Sequence, residues 1–389
     1  MTAHDSNPLV IIGTGLAGYT LAREFRRLDA ARPLVLVSHD DGAFYSKPML
    51  SNALSQSREV EALVTADADT MASRLDARVL AHREVVAIDR ERRRVRLADG
   101  ETLDYGKLVL AVGARPIRIP LQGEAADRVL SINNLEDYRR FRQALRPGAT
   151  VLIMGAGLIG CEFANDLAAS GHGVTVTDPA PLPLGRLAPP ANAERLRDAL
   201  QALGVAWCLG DHVVRLDEAA DGRLEATLAG GERVEADLVL SAVGLRPDTR
   251  LAEAAGLVCR RGIVVDHLLR TSDPDIHALG DCIELDGQVL PFVQPIMIGA
   301  RALARTLAGH PTEVDYPPMP VVVKTPACPT VVAPPPAGAE GEWRVEADES
   351  GVESRFVDTA GRLRGFALSG DRAARRQALT AELEAAADA

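Results

Sequence analysis

Two glycine-rich motifs, each placed directly after a short apolar run, constrain this chain more than any other feature. They are Gly13-Thr14-Gly15-Leu16-Ala17-Gly18 and Gly155-Ala156-Gly157-Leu158-Ile159-Gly160. Between a strand and a helix, the first glycine makes a tight turn and the second lets a pyrophosphate approach the backbone, while the third lets the helix pack against the strand. One copy can also be a turn that binds nothing, but two copies predict two bound dinucleotides.

The alternation of apolar runs with helical patterns predicts an α/β fold. The first βαβ unit is expected from Leu9–Ile12, Leu16–Leu28 and Leu34–Val37. A second βαβ unit begins at residue 151, and residues 79–97 between the two units predict a β-meander.

The first unit is expected to resume after the second one ends. A short strand over 276–281 and a helix over 295–307 repeat the pattern of a dinucleotide-binding domain. We therefore predict two Rossmann-like domains, one inserted in the other, followed by a small α+β domain with strands over 320–324, 343–345 and 364–368 and a surface helix over 371–389. The predicted divisions are 1–113 with 241–315, then 114–240, then 316–389.

The composition excludes several classes of function. A net charge of −11 argues against a general nucleic-acid binder, and no apolar stretch reaches the length of a membrane span. The polar residues 1–7 do not resemble a signal peptide. We expect a cytoplasmic protein that is not inserted in a membrane, and the oligomeric state is left open, with a monomer compatible with the sequence.

The cysteines predict an absence of thiol chemistry. The chain has five, Cys161, Cys208, Cys259, Cys282 and Cys328, and no CxxC or CxxxxC pair among them. This spacing removes the sequence-local dithiol of disulfide reductases, so we expect buried thiols in a reducing compartment. No pattern in the sequence predicts a metal site.

With both glycine motifs in place, several further segments give the chain a family resemblance. It resembles the two-dinucleotide flavoprotein reductases and, within them, the rubredoxin reductases. The resemblance rests on the segments Tyr45-Ser46-Lys47-Pro48-Met49-Leu50-Ser51, Gly157-Leu158-Ile159-Gly160-Cys161-Glu162-Phe163-Ala164, Ala278-Leu279-Gly280-Asp281-Cys282, Val289–Pro295 and Lys324-Thr325-Pro326. The resemblance implies that 1–113 with 241–315 binds FAD and that 114–240 binds NADH. It implies electron transfer from NADH through FAD to rubredoxin or a similar small iron–sulfur carrier, for example in alkane hydroxylation.

The resemblance also implies a set of FAD-binding residues. Asp40 lies 22 residues after Gly18, where a ribose-binding acid is expected, but a solvated turn acid fits as well and any of residues 38–41 could take the role. Asp281 would accept from the ribityl chain or simply cap the strand end. Val293 would offer its N–H to the flavin at a helix N-terminus. The full implied set is Gly13, Gly15, Leu16, Ala17, Gly18, Asp40, Lys47, Pro48, Val85, Ala111, Gly113, Glu162, Gly280, Asp281, Val293 and Lys324.

The second dinucleotide is predicted to be NADH. Asp178 lies 18 residues after Gly160, where an acid binds the ribose 2′-hydroxyl and repels a 2′-phosphate. The resemblance places Gly155, Gly157, Leu158, Ile159, Gly160, Asp178 and Gly244 at this site.

Two side chains are predicted to act in catalysis. The chain has only three lysines, Lys47, Lys107 and Lys324. The resemblance implies that Lys47 and Glu162 form a pair beside the flavin N5, although a surface ion pair is the alternative.

Other functions remain open at this point. They are a ferredoxin reductase of an oxygenase system, a reductase of a nitric-oxide-scavenging flavorubredoxin, and a non-catalytic flavoprotein that senses NADH.

Overall fold

The computed structural model describes residues 7–387. The polar residues 1–6, used above to argue against a signal peptide, and the last two residues of the predicted final helix lie outside this range. The elements before the second glycine motif are β1 (Leu9–Ile12), α1 (Leu16–Leu28), β2 (Leu34–Val37), β3 (Phe44–Tyr45), β4 (Val64–Ala66), α2 (Ala68–Leu75), β5 (Arg78–Leu80), β6 (Val85–Asp89), β7 (Arg94–Leu97), β8 (Thr102–Asp104), β9 (Lys107–Leu110), β10 (Ala114–Pro116) and α3 (Leu135–Ala144).

The next elements contain the second glycine motif. They are β11 (Thr150–Met154), α4 (Leu158–Ala169), β12 (Gly173–Asp178), α5 (Pro190–Ala202), β13 (Val205–Leu209), β14 (Val213–Glu218), β15 (Leu224–Leu228), β16 (Arg233–Ala236) and β17 (Leu238–Ser241). The remaining elements are β18 (Leu245–Pro247), α6 (Arg250–Ala254), β19 (Ile263–Val265), β20 (Ile276–Ala278), β21 (Ile283–Leu285), α7 (Val293–Leu307), β22 (Val321–Val323), β23 (Thr330–Ala333), β24 (Gly341–Asp348), β25 (Gly351–Asp358), β26 (Leu363–Gly370) and α8 (Arg376–Ala387).

The chain forms two compact units. The first unit contains the residues up to Lys47 together with 61–115 and 245–316. Its sheet has the order β20-β9-β1-β2-β5, and all four pairs of neighbours are parallel. β1 and β2 consist entirely of buried Leu, Val and Ile, as expected of strands covered on both faces. The predicted meander is present as the antiparallel sheet β6-β7-β8.

The second unit contains residues 48–60, 116–244 and 317–389. Its parallel sheet has the order β13-β12-β11-β17, and the antiparallel sheet β14-β15-β16, which the sequence did not predict, follows β13. Met154 pairs with Thr177 as Ile12 pairs with Val37 in the first unit, so both glycine motifs leave the sheet at the same register. The predicted duplication and insertion are therefore present.

The C-terminal residues of the second unit form an antiparallel sheet of order β22-β23-β26-β25-β24 with α8 packed against it. The sequence missed β23 and β25. The predicted surface helix instead begins with a 3₁₀ turn over Asp371–Arg375, and α8 buries Leu379 and Leu383 in the domain core. Asn192 of α5, fully buried, binds the β25 and β26 side chains Ser354 (2.6 Å) and Ser369 (3.0 Å).

No helix within residues 7–387 is long and apolar enough to cross a bilayer.

Candidate active site

The first glycine motif has the geometry of a phosphate-binding turn. Gly13 has φ +111°, and a Cβ there would lie 2.2 Å from the carbonyl oxygen of Ala111. A Cβ at Gly18 would lie 1.9 Å from the carbonyl oxygen of Gly13. A Cβ at Gly15, in contrast, would meet nothing within 4 Å, so space is left in front of the backbone there.

The second motif repeats this geometry. Gly155 has φ +105°, and a Cβ there would lie 2.6 Å from the carbonyl oxygen of Ala242. A Cβ at Gly160 would lie 1.9 Å from the carbonyl oxygen of Gly155. Gly157 again faces open space. The N–H of Gly155 donates to Thr177 (2.7 Å) as that of Gly13 donates to Val37 (2.8 Å).

The helices that follow both motifs begin in a way that suits an anion. The N-cap residues are Gly15 for α1 and Gly157 for α4, and neither cap supplies a side-chain acceptor. Neither first turn carries an acidic residue. The free N–H groups and the positive helix end therefore fit a pyrophosphate at each motif, and the predicted residues Leu16, Ala17, Leu158 and Ile159 lie in these first turns.

Asp178 is the last residue of β12, and its carboxylate is tied to the second glycine motif. Oδ2 accepts from the N–H of Ala156 (2.7 Å), and Oδ1 accepts from that of Ala180 (2.8 Å). The side chain is thus fixed beside the turn, where the sequence predicted an acid that contacts a ribose.

In the first unit, the position equivalent to Asp178 is occupied by Ser38, because Ser38 follows Val37 as Asp178 follows Thr177, and Val37 and Thr177 hold the same register. Ser38 is buried, and its hydroxyl donates to Asp40 and lies 2.5 Å from Thr14 Oγ1. The structure thus joins two of the four residues that the sequence left open for the FAD ribose. The strand register was the signal that could have singled out Ser38.

Asp281 follows β20 in the first unit. Burial raises the pKa of the Asp281 carboxyl, and the positive charge of Lys47 offsets part of this rise. Lys47 therefore lies close enough for its charge to act on Asp281. Gly280 has φ +89°, and a Cβ there would lie 2.9 Å from that of Ala17, so a glycine lets this turn approach α1.

The other residues predicted from the resemblance have defined places, while their contacts with cofactors stay predictions. Val85 begins β6, and Gly113 and Gly244 both have positive φ angles. Val293 is the first residue of α7 and is 44% exposed, so the helix begins two residues before the predicted start at residue 295.

Glu162 lies in a polar network inside the second unit. Its carboxylate is 2% exposed, and Oε2 accepts from Lys324 Nζ (2.5 Å) and from the Ser51 hydroxyl (2.6 Å). Oε1 accepts from the backbone N–H of Lys324 (2.9 Å). Lys324 Nζ also donates to Ser51 Oγ (2.7 Å) and to the carbonyl oxygen of Pro48 (2.6 Å).

This network brings together three residues that the sequence singled out, Pro48, Glu162 and Lys324, and adds Ser51. Ser51 ends the segment Tyr45–Ser51 but is not among the predicted site residues, and its four-residue distance from Lys47 is the one signal in the sequence that points to it. The cation beside Glu162 in this unit is Lys324. The pairing of Glu162 with Lys47 stays a prediction.

The five cysteines are free thiols, and Cys161, Cys282 and Cys328 are buried. Burial raises the pKa of Cys282 to about 12, so this neighbour of Asp281 is protonated at neutral pH. Within residues 7–387 we find no cluster of three or more His, Cys, Asp or Glu suited to a metal ion.

Residues 7–302 match the family described as pyridine nucleotide-disulphide oxidoreductase. The chain belongs to this family. Residues 313–383 match a second family, described as the rubredoxin binding C-terminal domain. One relative is the rubredoxin-NAD(+) reductase of Alcanivorax borkumensis, which is 46% identical over 97% of this chain and 99% of its own length.

A second relative is the nitric oxide reductase FlRd-NAD(+) reductase of Aeromonas hydrophila, 40% identical over 94% of each chain. Among solved structures, the covalent putidaredoxin reductase–putidaredoxin complex superimposes with a TM-score of 0.87 at 26% identity, covering 97% of this chain and 94% of that one. The predicted fold and the predicted resemblance to rubredoxin reductases are confirmed.

Proposed function

We propose that this oxidoreductase transfers electrons from NADH through FAD to rubredoxin. One observation carries the proposal. In the domain that matches the rubredoxin-binding family, Lys324 donates a hydrogen bond to Glu162, which lies in the helix that starts at the second glycine motif. A carrier-binding domain and a dinucleotide-binding helix are thus built into one compact unit.

The residues of this chain hold the cofactors and leave the redox chemistry to them. FAD held at the first glycine motif would supply the conversion between two-electron hydride transfer and one-electron transfer. The N–H groups behind Gly15 and Gly157 bind the two pyrophosphates. Asp178 accepts from the ribose 2′-hydroxyl of NADH and disfavours NADPH by charge repulsion.

Lys47 and Glu162 are proposed to act beside the flavin N5. Lys47 would donate to the flavin and tune its potential, and the carboxylate of Glu162 would help to seat the nicotinamide. If the two residues act as one unit, Lys47→Met and Glu162→Gln each slow flavin reduction by NADH, and the double variant is little worse than the slower single variant. Additive losses in ln k would contradict this pair.

The division of labour between the domains follows from these assignments. Residues 1–113 with 241–315 would bind FAD, 114–240 would bind NADH, and 316–389 would bind the carrier. The matched family over 313–383 supports the last of these assignments.

The test of the function compares acceptors. We expect purified enzyme with NADH to reduce rubredoxin much faster than a plant-type ferredoxin. Faster ferredoxin reduction would contradict the proposed partner, and no turnover with any one-electron acceptor would leave an NADH-sensing flavoprotein. A flavorubredoxin belongs in the same panel, because relatives at 40% identity are named for that system.

The setting of the reaction is also a proposal. The free thiols support a reducing cytoplasm, and the resemblance supports a role in hydrocarbon degradation, with rubredoxin delivering electrons to an alkane hydroxylase. Cell fractionation tests the first statement. Reconstitution with rubredoxin and the hydroxylase tests the second, and failure to support alkane oxidation would contradict it.

A further inference from the structure

The helix α4 buries an unusual polar face. Glu162, Asn165 and Asp166 are each 2% exposed, and their spacing places all three on one side of the helix. Buried carboxylates and amides destabilise a fold unless they are hydrogen-bonded. Their partners therefore show what this face of the helix holds.

Asp166 holds the segment 48–60. Its Oδ1 accepts from the N–H (2.8 Å) and the hydroxyl (2.5 Å) of Ser55, and its Oδ2 accepts from the N–H of Leu54 (3.1 Å). Among the described residues, the hydrogen bonds to this carboxylate come from two adjacent residues of one segment. No ion pair of Asp166 is present among the described residues, so the contact is directional rather than a charge pair.

The two other side chains of the face hold the C-terminal domain. Asn165 Oδ1 accepts from the N–H of Ala327 (3.0 Å), and Glu162 binds Lys324 as described above. Lys324 in turn donates to Pro48 and Ser51.

Segment 48–60 is consequently fixed at two places. Lys324 binds it at Pro48 and Ser51, and Asp166 binds it at Leu54 and Ser55. Pro48 directly follows Lys47 in the chain, and both belong to the 3₁₀ helix Lys47–Asn52. Directional hydrogen bonds within this helix, at Pro48 and Ser51, and just after it, at Leu54 and Ser55, restrict its position.

We propose that Asp166 is a positioning residue for hydride transfer from NADH, acting through residues 48–55 on Lys47 and Pro48. The inference rests on the proposed function, in which Lys47 works beside the flavin N5. Asp166 touches neither substrate nor cofactor in this role. It sets the placement of the 3₁₀ helix, and a small displacement of a group beside a reacting atom is costly in rate.

The test uses the holoenzyme and two substitutions that weaken the contact of Asp166 with Leu54 and Ser55 to different extents. In Asp166→Asn the amide N–H₂ faces backbone or hydroxyl donors of Ser55 or Leu54, so at least one bond is lost. Ser55→Ala removes only the hydroxyl bond. The matched control is Asp198→Asn on α5, whose side chain is 62% exposed and, within residues 7–387, forms an ion pair only with its neighbour Arg197.

The readouts separate positioning from stability. Anaerobic stopped-flow gives the limiting rate of flavin reduction and the dissociation constant of NADH, and spectroelectrochemistry gives the flavin midpoint potential. We expect Asp166→Asn to slow the limiting rate by about tenfold with an NADH dissociation constant within about twofold, and Ser55→Ala to lie between it and wild type. Asp198→Asn should equal wild type in all three measurements.

A lowered melting temperature with unchanged limiting rate and potential in Asp166→Asn would overturn the proposal. If that variant does not fold, an unchanged limiting rate in Ser55→Ala overturns it instead. Rubredoxin reduction by the wild type is measured separately. Its failure would contradict the proposed carrier while the ratio of flavin reduction rates still decides the role of Asp166.

Discussion

Removing Lys324 should destabilise the protein more than removing the charge of Glu162, although the two residues form one pair. Of the bonds described above, Lys324→Met leaves the Glu162 carboxylate, which is 2% exposed, with the Ser51 hydroxyl and one backbone N–H. Glu162→Gln leaves an ammonium whose side chain is 27% exposed and still bonded to Pro48 and Ser51. The uncompensated charge is therefore buried in the first variant and partly solvated in the second.

The magnitudes follow from this difference in burial. Removing Lys324 leaves the buried carboxylate without its cation and should lower the free energy of unfolding by about 3 kcal/mol. Removing the charge of Glu162 leaves a partly solvated ammonium and should cost about half of that. The double variant leaves no unpaired charge. Glutamine at position 162 can accept from the backbone N–H of residue 324 and donate to the hydroxyl of Ser51. We therefore expect the double variant to be more stable than Lys324→Met alone, with a coupling of about 1–3 kcal/mol.

The assay is thermal unfolding of the holoenzyme at fixed excess FAD. At about 2 °C for each kcal/mol in a long chain, Lys324→Met should lower Tm by about 6 °C and Glu162→Gln by about 3 °C. Arg197→Met, which breaks an exposed pair with Asp198, is the control and should leave Tm nearly unchanged. A double variant that melts below Lys324→Met would refute the reasoning.

Four further outcomes are expected. Gly15→Ala should fold but bind FAD weakly, and Gly157→Ala should fold but raise the KM for NADH, since both added methyl groups enter open space in front of the backbone; normal titrations would contradict the two cradles. Asp178→Ala should narrow the NADH to NADPH ratio of kcat/KM, and equal use of both by wild type would sink the assignment. Cys282→Ala should keep its turnover, because burial holds the thiol protonated with a pKa of about 12, so lost activity with FAD bound would reveal a redox thiol. Burial lowers the pKa of His277 to about 4, so the unfolded chain binds a proton at a higher pH than the folded chain does. The free energy of unfolding therefore falls as the pH drops from 6.5 towards 4, by about 2 kcal/mol at pH 5. In urea unfolding, His277→Gln should flatten this pH profile.

The parts of the fold that the sequence predicted are those with strong local patterns. Leu9–Ile12 and residues 151–154 are uninterrupted apolar runs that end in a glycine turn, so strand, turn and helix could each be placed within a residue or two. β14, β15, β23 and β25 were missed. Each pairs with a strand close to it in the chain, but β14, β15 and β25 contain charged residues and β23 lies between prolines, so none has the uninterrupted apolar run and glycine turn that identified β1 and β11.

The site could be predicted only where its residues belong to one local motif. The second glycine turn and Asp178 belong to one βαβ unit, and the structure places them together. Ser51 and Glu162 are 111 residues apart, and Asp166 and Ser55 are equally distant, so their contacts exist only once the second unit has folded. Ser51 and Asp166 are ordinary polar residues in the sequence, and only their burial distinguishes them from a solvated surface.

Lys324 illustrates how this unit is connected. An ammonium group has three N–H donors, and in Lys324 they serve the carbonyl of Pro48, the hydroxyl of Ser51 and the carboxylate of Glu162. These three bonds join two parts of the chain, the 3₁₀ helix Lys47–Asn52 and α4. Arginine would not replace it, since a planar fork cannot direct three bonds from one compact point. The domain matched to rubredoxin binding is thus bonded directly to the helix that follows the second glycine motif, and it is a structural part of the second unit.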